Sequence, residues 1–391
     1  MAHEPTTKRS IGWMGLRRGH RANPFEWLAE RVILLVSLTS ILMVFLIFVF
    51  IGREAWPVAI GRVNTALVQQ MRPVSDMNKM TPREFCDYLG LTTAQLASMD
   101  RETLKTLMEL KIEATKESSQ NKDASVNTAQ WRYLLGPYQW EGYSRPEFIW
   151  QPVSEIHKYN IVPLIIGSLK ITVVAMLFAV PLALGAAIYV SQLARPRIRE
   201  LAKPVIELLA GIPSVVLGFF ALIVMASVLQ QISGAQSRLN ALCAGIALGF
   251  AVIPVVFSIA EDALTSVPRS YVQAALALGA SQWKAAWQVV LPAALPGVFA
   301  AVALGFGRAI GETMVVLMAS GNASIVSWSL FDSARTITAT IAAELGEVVF
   351  GGAHYRILFL IGVLLFNVTF LTNLSAELVL HRLKARMEGK R

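Results

Sequence analysis

The sequence predicts an all-α integral membrane protein, with six transmembrane helices and a small extracytoplasmic domain between the first and second. Three observations support this fold class. Of the 391 residues, 54% are hydrophobic and only 16% are charged, and the mean hydropathy is +0.52. Soluble domains usually carry about 25% charged residues. Apolar runs long enough to cross a bilayer as helices recur along the chain, and basic residues are concentrated beside them.

The first apolar run covers residues 32–51 and contains no charged residue. A helix needs about 20 apolar residues to cross the hydrocarbon core, so this run predicts the first transmembrane helix. A basic tail, residues 1–31, precedes it. The run is longer than the core of a signal peptide, and no small-residue cleavage site follows it. We therefore expect a membrane anchor with a cytoplasmic N-terminus.

Residues 52–160, here called the inserted region, carry balanced charges and predict a small periplasmic domain. A helix is expected after Asp100, because Leu104, Leu107 and Met108 would share one face with Ile112. The aromatic residues between positions 131 and 159 leave two alternatives open. They could lie at the membrane surface, as aromatic belts do, or they could form the core of the inserted region.

Five further apolar segments predict the other spans and define a five-helix core at residues 161–381: 161–191, 205–230, 239–260, 295–318 and 357–381. The orientation follows from the basic residues, which favour cytoplasmic loops. They fall in the loop at 195–203, in the long loop at 261–294 and in the basic tail at 382–391. A multi-pass topology with both termini in the cytoplasm satisfies every short loop.

Several other functions find no support in the sequence. The two cysteines, Cys86 and Cys243, are far apart and belong to no Cys/His cluster, so neither a disulfide nor a metal site is expected. No basic–aromatic module of a nucleic-acid reader is present. The phosphate-binding loop pattern G-x-x-x-x-G-K-[ST] is absent. We therefore expect no enzyme activity and no cofactor in this chain.

The long loop contains a distinctive stretch at residues 273–292, which reads QAALALGASQWKAAWQVVLP. Residues 271–278 favour a helix, and Gly279 suits a helix end that needs a left-handed residue. Ser281 is expected to cap a second helix, which Pro292 would help to end. The pattern predicts a rigid helix–turn–helix hairpin. It could dock on a partner subunit, or it could be an ordinary cytoplasmic hairpin.

This stretch resembles the EAA motif of permeases from binding-protein-dependent ABC importers. That motif reads Glu-Ala-Ala, three residues, Gly, nine residues and Ile-x-Leu-Pro. Gln273 replaces the usual Glu and Val289 replaces Ile. The resemblance implies a loop that couples the permease to an ATPase, through these residues: Gln273, Ala274, Ala275, Gly279, Leu291 and Pro292.

A second stretch, GFGRAIGETM at residues 305–314, resembles the PstC-type permease family of bacterial phosphate importers. Residues 210–220 and 336–347 resemble the same family. The resemblance implies an inner-membrane permease that moves inorganic phosphate by alternating access. It also implies the partners: a PstA-type permease, the ATPase PstB, which would bind ATP and Mg, and the periplasmic phosphate-binding protein PstS. A permease for phosphonate, sulfate or molybdate, or a PstA-type subunit, is the alternative.

Arg308 and Glu312 are the predicted substrate-pathway residues. Four positions apart, they would share one helix face near the membrane centre. A guanidinium suits phosphate oxygens, and Glu312 would neutralise it when no substrate is present. The alternative is a structural ion pair in a closely packed helix, since Gly307 and Gly311 form a G-x-x-x-G pattern.

Other polar or helix-breaking positions carry smaller expectations. Gly211 and Pro213 should bend or break their helix, as a packing kink or, alternatively, as part of a gate. Lys170 should lie near an interface and extend toward it. Glu261 and Asp262 should form an ordinary solvated end of the fourth span, with contact to the loop or to the ATPase as the alternative. Glu344 and Glu347 should help shape the outer mouth or contact the binding protein.

Overall fold

The computed structural model describes residues 24–66, 80–89, 91–118 and 122–387. The parts of the predicted cytoplasmic tails before position 24 and after position 387 lie outside these ranges. The chain divides into two compact units, Met1–Ile51 and Gly52–Arg391, which are described separately.

Helix α1, Pro24–Ala59, contains the first predicted span. It is longer than residues 32–51, because its apolar sequence has no glycine before Gly52 and no internal proline before Pro57. In the first unit its large apolar side chains are exposed, such as Ile33 at 66% and Ile41 at 67%. A helix that is apolar on all sides and exposed is typical of a membrane span.

The second unit begins with the inserted region. Its helices are α2 Pro82–Leu89, α3 Thr93–Ser98, α4 Arg101–Ser118 and α5 Trp131–Leu135, with a 3-10 turn at Lys122–Ser125. Strands β1 Trp150–Gln151 and β2 Lys158–Tyr159 pair antiparallel, with Trp150 opposite Tyr159. A capping box between Thr92 and Gln95 starts α3. The helix predicted after Asp100 is present as α4, and Met108 is fully buried.

The aromatic residues of the inserted region divide between the two alternatives. Trp140, Trp150 and Tyr159 are buried, which favours the core, whereas Trp131 is 38% exposed. The core around Trp150 and Tyr159 also contains residues from the ends of two spans, including Leu164 and Ile357. The inserted region therefore packs directly on the helical bundle.

The other five spans and four shorter helices form that bundle. The spans are α6 Val162–Ile188 with a π turn at Tyr189–Leu193; α8 Ser214–Phe220, a π turn at Ala221–Met225 and α9 Ala226–Ser233; α10 Ala241–Thr265; α12 Gln282–Ala285, a π turn at Ala286–Val290 and α13 Leu291–Gly311; and α16 Ala353–Met387. The shorter helices are α7 Pro196–Ala210, α11 Arg269–Ala277, α14 Met314–Ala319 and α15 Ile337–Glu344. With α1, six helices are long and apolar enough to span a membrane.

Small residues set the distance between α6 and α10. A Cβ added at Gly245 would lie 2.4 Å from Val174 Cγ1, and one at Gly249 would lie 2.6 Å from the ring of Phe178. Close approach through glycine and alanine is a common way to pack membrane helices, because it brings the two backbones into contact. These two helices form the centre of the bundle.

Two predicted span boundaries are wrong. The third span begins at Ser214 rather than at residue 205, because the chain breaks at Gly211–Pro213 and leaves α7 as a separate helix. The fifth extends from Gln282 to Gly311 rather than from 295 to 318. Pro292 does not end a helix, since it occupies the first turn of α13 directly after the π turn.

The bundle has two ends, named here by what they carry. The hairpin end carries α11 and the start of α12, and the π turn that ends α6 contacts α12 there. The domain end carries the inserted region and residues 320–352. Helix α6 runs between them, starting directly after β2.

Candidate functional site

The hairpin at residues 269–285 has the predicted local structure. Helix α11 ends in a Schellman motif, in which Ala280 N donates to Ala275 O at 3.1 Å and Gly279 N donates to Leu276 O at 2.9 Å. Gly279 adopts a φ of 85°, the left-handed conformation that glycine accommodates. Ser281 Oγ accepts a hydrogen bond from Lys284 N at 3.3 Å and caps α12. These bonds fix the angle between the two helices.

The hairpin presents apolar side chains outward. None of the residues of α11 is buried. Leu278 is 90% exposed and Trp283 is 57% exposed, so neither side chain packs into the buried cores of the chain. Large exposed apolar side chains concentrated in one short segment indicate an interaction site. Of the predicted coupling residues, Gln273, Ala274, Gly279 and Pro292 are exposed, whereas Ala275 and Leu291 are partly covered.

A buried carboxylate lies where α10 meets the hairpin. The Glu261 side chain is 1% exposed; Arg199 Nη2 donates to its Oε1 at 2.9 Å and Lys203 Nζ donates to its Oε2 at 2.7 Å. Thr265 Oγ1 donates to Oε1 as well. The expectation of a solvated end is therefore wrong for Glu261, since α7 packs over it. It holds for Asp262, which is 68% exposed and also binds Lys203.

The ion pairs of this cluster change the titration of the lysine. Hydrogen bonds to Glu261 and Asp262 raise the pKa of Lys203 above its ordinary value, and they outweigh the opposing effect of burial. The lysine therefore keeps its charge throughout the physiological pH range.

The predicted pairing of Arg308 with Glu312 is wrong. Helix α13 ends at Gly311, and Glu312 has extended backbone angles, φ −70° and ψ 137°, so the two residues do not share a helix face. Within the described part of the chain, no ion pair joins them. Thr338 Oγ1 donates to Glu312 O at 2.8 Å, which satisfies a carbonyl in the interrupted segment. The pathway role of both residues stays a prediction.

Arg308 nevertheless lies at the level of the middle of the bundle. One turn before it, a Cβ added at Gly305 would lie 2.5 Å from Val256 Cγ2 and 3.3 Å from Val252 Cγ1, near the middle of α10. The Arg308 side chain is exposed in the isolated chain. A guanidinium at this depth costs several kcal/mol unless it faces protein, water or an anion. The surface around it therefore requires a partner or an aqueous path.

The glycines predicted for helix packing differ in their surroundings. A Cβ added at Gly307 would lie 3.2 Å from Asn373 Oδ1 of α16, whereas one at Gly311 would meet no atom within 4 Å. Close packing is thus a property of Gly307 alone in this pattern. At Gly211 and Pro213 the helix breaks, as expected, and α8 starts at Ser214.

The segment after the Arg308 helix packs on α8. A Cβ added at Gly218 would lie 3.0 Å from Met318 Sδ and 3.1 Å from Met314 O. Helix α14 therefore rests with its backbone against α8, and a shift of α8 would displace α14. The interrupted residues Glu312 and Thr313 connect α14 to α13.

Lys170 fixes the segment that follows α14. Its side chain is buried, and its Nζ donates to Ser327 O at 3.0 Å and Ser329 O at 2.9 Å. The expectation that it extends to an interface is wrong, because residues 320–336 fold against α6 and offer carbonyl groups inside the protein. Irregular backbone at membrane depth is tolerated only when its polar groups are satisfied in this way.

A second shielded carboxylate lies at the domain end. Glu344 Oε1 accepts hydrogen bonds from Arg335 Nη2 at 2.7 Å and from Trp150 Nε1 at 3.1 Å. His354 Nε2 lies 2.9 Å from Glu344 Oε2. The carboxylate thus connects the inserted region to α15 and α16. Glu347, the other predicted residue, is exposed.

The described residues contain no candidate metal site. Among the residues from 24 to 387 that the structure describes, no three His, Cys, Asp or Glu side chains form a group that could hold a metal ion. Cys86 and Cys243 are both buried and not joined by a disulfide.

The fold and the hairpin define a multi-pass membrane subunit built to receive a partner at one end. Residues 179–388 match the family of binding-protein-dependent transport system inner membrane components. This match covers more than half of the chain, so the chain belongs to that family. It is therefore a membrane-embedded transport subunit, a non-enzymatic component of its system.

Two curated relatives illustrate the similarity. A probable ABC transporter permease protein, YqgH of Bacillus subtilis, is 36% identical over 234 residues, which cover 59% of this chain and 76% of the relative. The phosphate transport system permease protein PstC of Xylella fastidiosa is 35% identical over 259 residues, which cover 61% of this chain and 78% of the relative.

Solved structures also include similar chains. The MetNI methionine ABC transporter in an inward-facing conformation matches with a TM-score of 0.45 and 18% identity, over 57% of this chain and 95% of that one. The family membership rests on the sequence comparisons.

Proposed function

We propose that this chain is the PstC-type permease subunit of an ABC importer that carries inorganic phosphate into the cytoplasm. The cargo is suggested by relatives named as phosphate transport permeases, including that of Xylella fastidiosa at 35% identity and that of Mesorhizobium japonicum at 34%. The observation that carries the transport role is the rigid hairpin with an exposed apolar surface, because such a surface needs a partner.

The hairpin would dock on a separate ATPase of the PstB type, which binds ATP and Mg and hydrolyses the nucleotide. In this proposal the hairpin end and both termini are cytoplasmic, and the domain end is periplasmic. A PstA-type permease would complete the translocation path, and a phosphate-binding protein of the PstS type would deliver cargo at the domain end. Closure of the ATPase would move the hairpin and open the path outward, as alternating access requires.

Arg308 would meet phosphate during passage. Its guanidinium has no carboxylate partner in the described residues, and it lies near the level of the middle of α10. A planar donor fork suits phosphate oxygens, and an anion would offset the cost of the isolated charge. Glu312, held in extended backbone after the helix break, would line the same region and prevent tight retention of the anion.

Uptake of radiolabelled phosphate tests the proposal. Cells lacking their own high-affinity system would receive this chain with its partner subunits, and Arg308→Gln would be measured beside it. We expect ATP-dependent uptake that excess sulfate and molybdate do not inhibit, and loss of uptake in Arg308→Gln with unchanged complex. Uptake of a different oxyanion in place of phosphate would refute the cargo, and loss of assembly in Arg308→Gln would assign the arginine a structural role.

A matched pair of variants tests the docking surface. Leu278→Ser removes the most exposed apolar side chain of the hairpin, and Val153→Ser removes one that is 91% exposed in the inserted region. We expect co-purification of the ATPase to fall about tenfold in Leu278→Ser, since a central interface residue contributes about 1–2 kcal/mol. Val153→Ser should leave it unchanged. Equal recovery of the ATPase with both variants would show that the hairpin tip is not the docking site.

A further inference from the structure

The buried Glu261 cluster joins the hairpin end to a helix that leads back into the bundle. Glu261 lies in the last turns of α10, directly before the chain enters the hairpin. Its carboxylate is 1% exposed, and a buried carboxylate is tolerated only when it is paired. Both compensating charges, Arg199 and Lys203, come from α7, where a spacing of four places them on one face.

Helix α7 has few other directional contacts. None of its residues is buried, and large apolar side chains such as Leu201 and Leu208 are mostly exposed. Only Ala202 and Ile206 pack, half-buried, against the main core. Because non-polar contacts of this kind allow sliding, the hydrogen bonds of Arg199 and Lys203 hold the register of α7 on α10. Both side chains bind the buried Glu261, and each also binds a second residue of α10, Thr265 or Asp262.

The other end of α7 leads to the region of Arg308. The helix stops at Ala210, and Gly211–Pro213 forms a break before α8. Helix α8 contacts the backbone of α14 at Gly218, and α14 follows the interruption after Arg308. A displacement of α7 would therefore reach α8 and α14 through a connection of only three residues, 211–213.

We infer that Glu261, Arg199 and Lys203 act as a clamp that makes α7 move together with α10 and the hairpin, and so transmits motion of the docked ATPase to α8 and α14. The three are positioning residues in this inference, since they would act through α7 rather than on cargo or nucleotide. The inference rests on the proposed function only in requiring an ATPase at the hairpin, and it is independent of the cargo.

The test measures transmission directly. A fluorescent amino acid sensitive to its environment would replace Val216 of α8, which is 55% exposed. In the assembled complex, ATP with vanadate should shift its emission. Glu261→Gln keeps the shape but removes the charge, and we expect the shift to fall about tenfold, within the range of coupling between sites. Glu207→Gln, at an exposed carboxylate of α7 outside the cluster, should retain it. A full shift in Glu261→Gln would overturn the inference.

A double variant, treated in two ways, provides the test if Glu261→Gln does not assemble. In Lys203→Cys with Asp262→Cys, a short bifunctional thiol reagent would join α7 to α10, while a monofunctional reagent would only block the cysteines. The native cysteines are buried. We expect the linked protein to keep the emission shift and the blocked one to lose about nine-tenths of it. A shift that survives blocking but disappears on linking would show that α7 moves against α10.

The two proposals can fail separately. Absence of phosphate uptake by the unaltered complex, together with an emission shift that depends on Glu261, would refute the cargo and support the clamp. Phosphate uptake together with an emission shift that is unaffected in Glu261→Gln would refute the clamp alone.

Discussion

Glu261 at the hairpin end and Glu344 at the domain end are shielded carboxylates that each contact two basic residues, but they connect different numbers of elements. Both basic partners of Glu261 belong to α7, which ends at a break, and its third partner, Thr265, lies on α10 itself. The partners of Glu344 come from β1, from the residue before Thr336 and from the start of α16. One carboxylate fixes a single helix on another, whereas the other joins three separate parts of the chain.

The surroundings of Glu344 are also more tightly packed than those of Glu261. Trp150 packs edge-on against Tyr159 with ring centroids 5.8 Å apart, and Tyr159 lies 5.6 Å from His354. Around Glu261 the side chains of α7 are mostly exposed. Removing the contact at the domain end should therefore reduce stability, whereas removing the contact at the hairpin end should mainly reduce coupling. The following experiments test that contrast.

The largest effect on stability is expected from Glu344→Gln. The substitution removes the charge that faces Arg335 and His354 while keeping the side-chain size. We expect the free energy of unfolding to fall by about 3 kcal/mol, because the Arg335 guanidinium, which is only 15% exposed, loses its charged partner. Thermal unfolding of the purified chain in detergent would measure it. Glu347→Gln, at an exposed neighbour, is the control and should change little; an equal loss in both variants would contradict the special position of Glu344.

A smaller loss is expected from Gly167→Ala. A Cβ at Gly167 in α6 would lie 2.2 Å from the backbone oxygen of Arg335, so α6 and the adjacent chain must separate. Overpacking of this kind costs about 2 kcal/mol. Gly185→Ala, in the same helix, would meet no atom within 4 Å and should be neutral or slightly stabilising. Equal melting temperatures for the two variants would show that the domain end is less rigid than the contacts indicate.

Much of the architecture could be predicted from local sequence. The six spans are uniform apolar runs, and the hairpin is encoded by Gly279 and Ser281, whose effects depend on neighbours within a few residues. The break at Gly211–Pro213 is equally local, since proline removes a backbone donor wherever it stands. Such features have the same effect on local structure in any tertiary context.

The remaining features depend on distant partners. Apolar segments lie on both sides of Glu312, so the sequence pattern predicts a helix that continues through it. In the structure the helix ends at this point, where Thr338, 26 positions away, donates a hydrogen bond to the Glu312 carbonyl. Local sequence predicts that Glu261 lies at a solvated helix end. In the structure α7 covers it with Arg199 and Lys203, which lie about 60 positions earlier in the chain. The sequence feature that indicates an ion pair is the cluster of basic residues in the loop at 195–203, which is predicted on the same side of the membrane as Glu261. The local spacing could not show which carboxylate they would contact.

The smallest effect is expected from Gly279→Ala, and it tests the hairpin alone. No atom lies within 4 Å of the added Cβ, so the cost comes only from the left-handed backbone, about 1 kcal/mol. The Ala280 amide, bonded to Ala275 O, should then exchange with deuterium about fivefold faster, because 1 kcal/mol changes an equilibrium by about that factor. Gly279→Asn should exchange more slowly than Gly279→Ala, since asparagine tolerates this conformation better. Amides around Trp150 should not change in either variant. Faster exchange there as well would mean that the hairpin and the domain end unfold together, and the contrast between Glu261 and Glu344 would no longer hold.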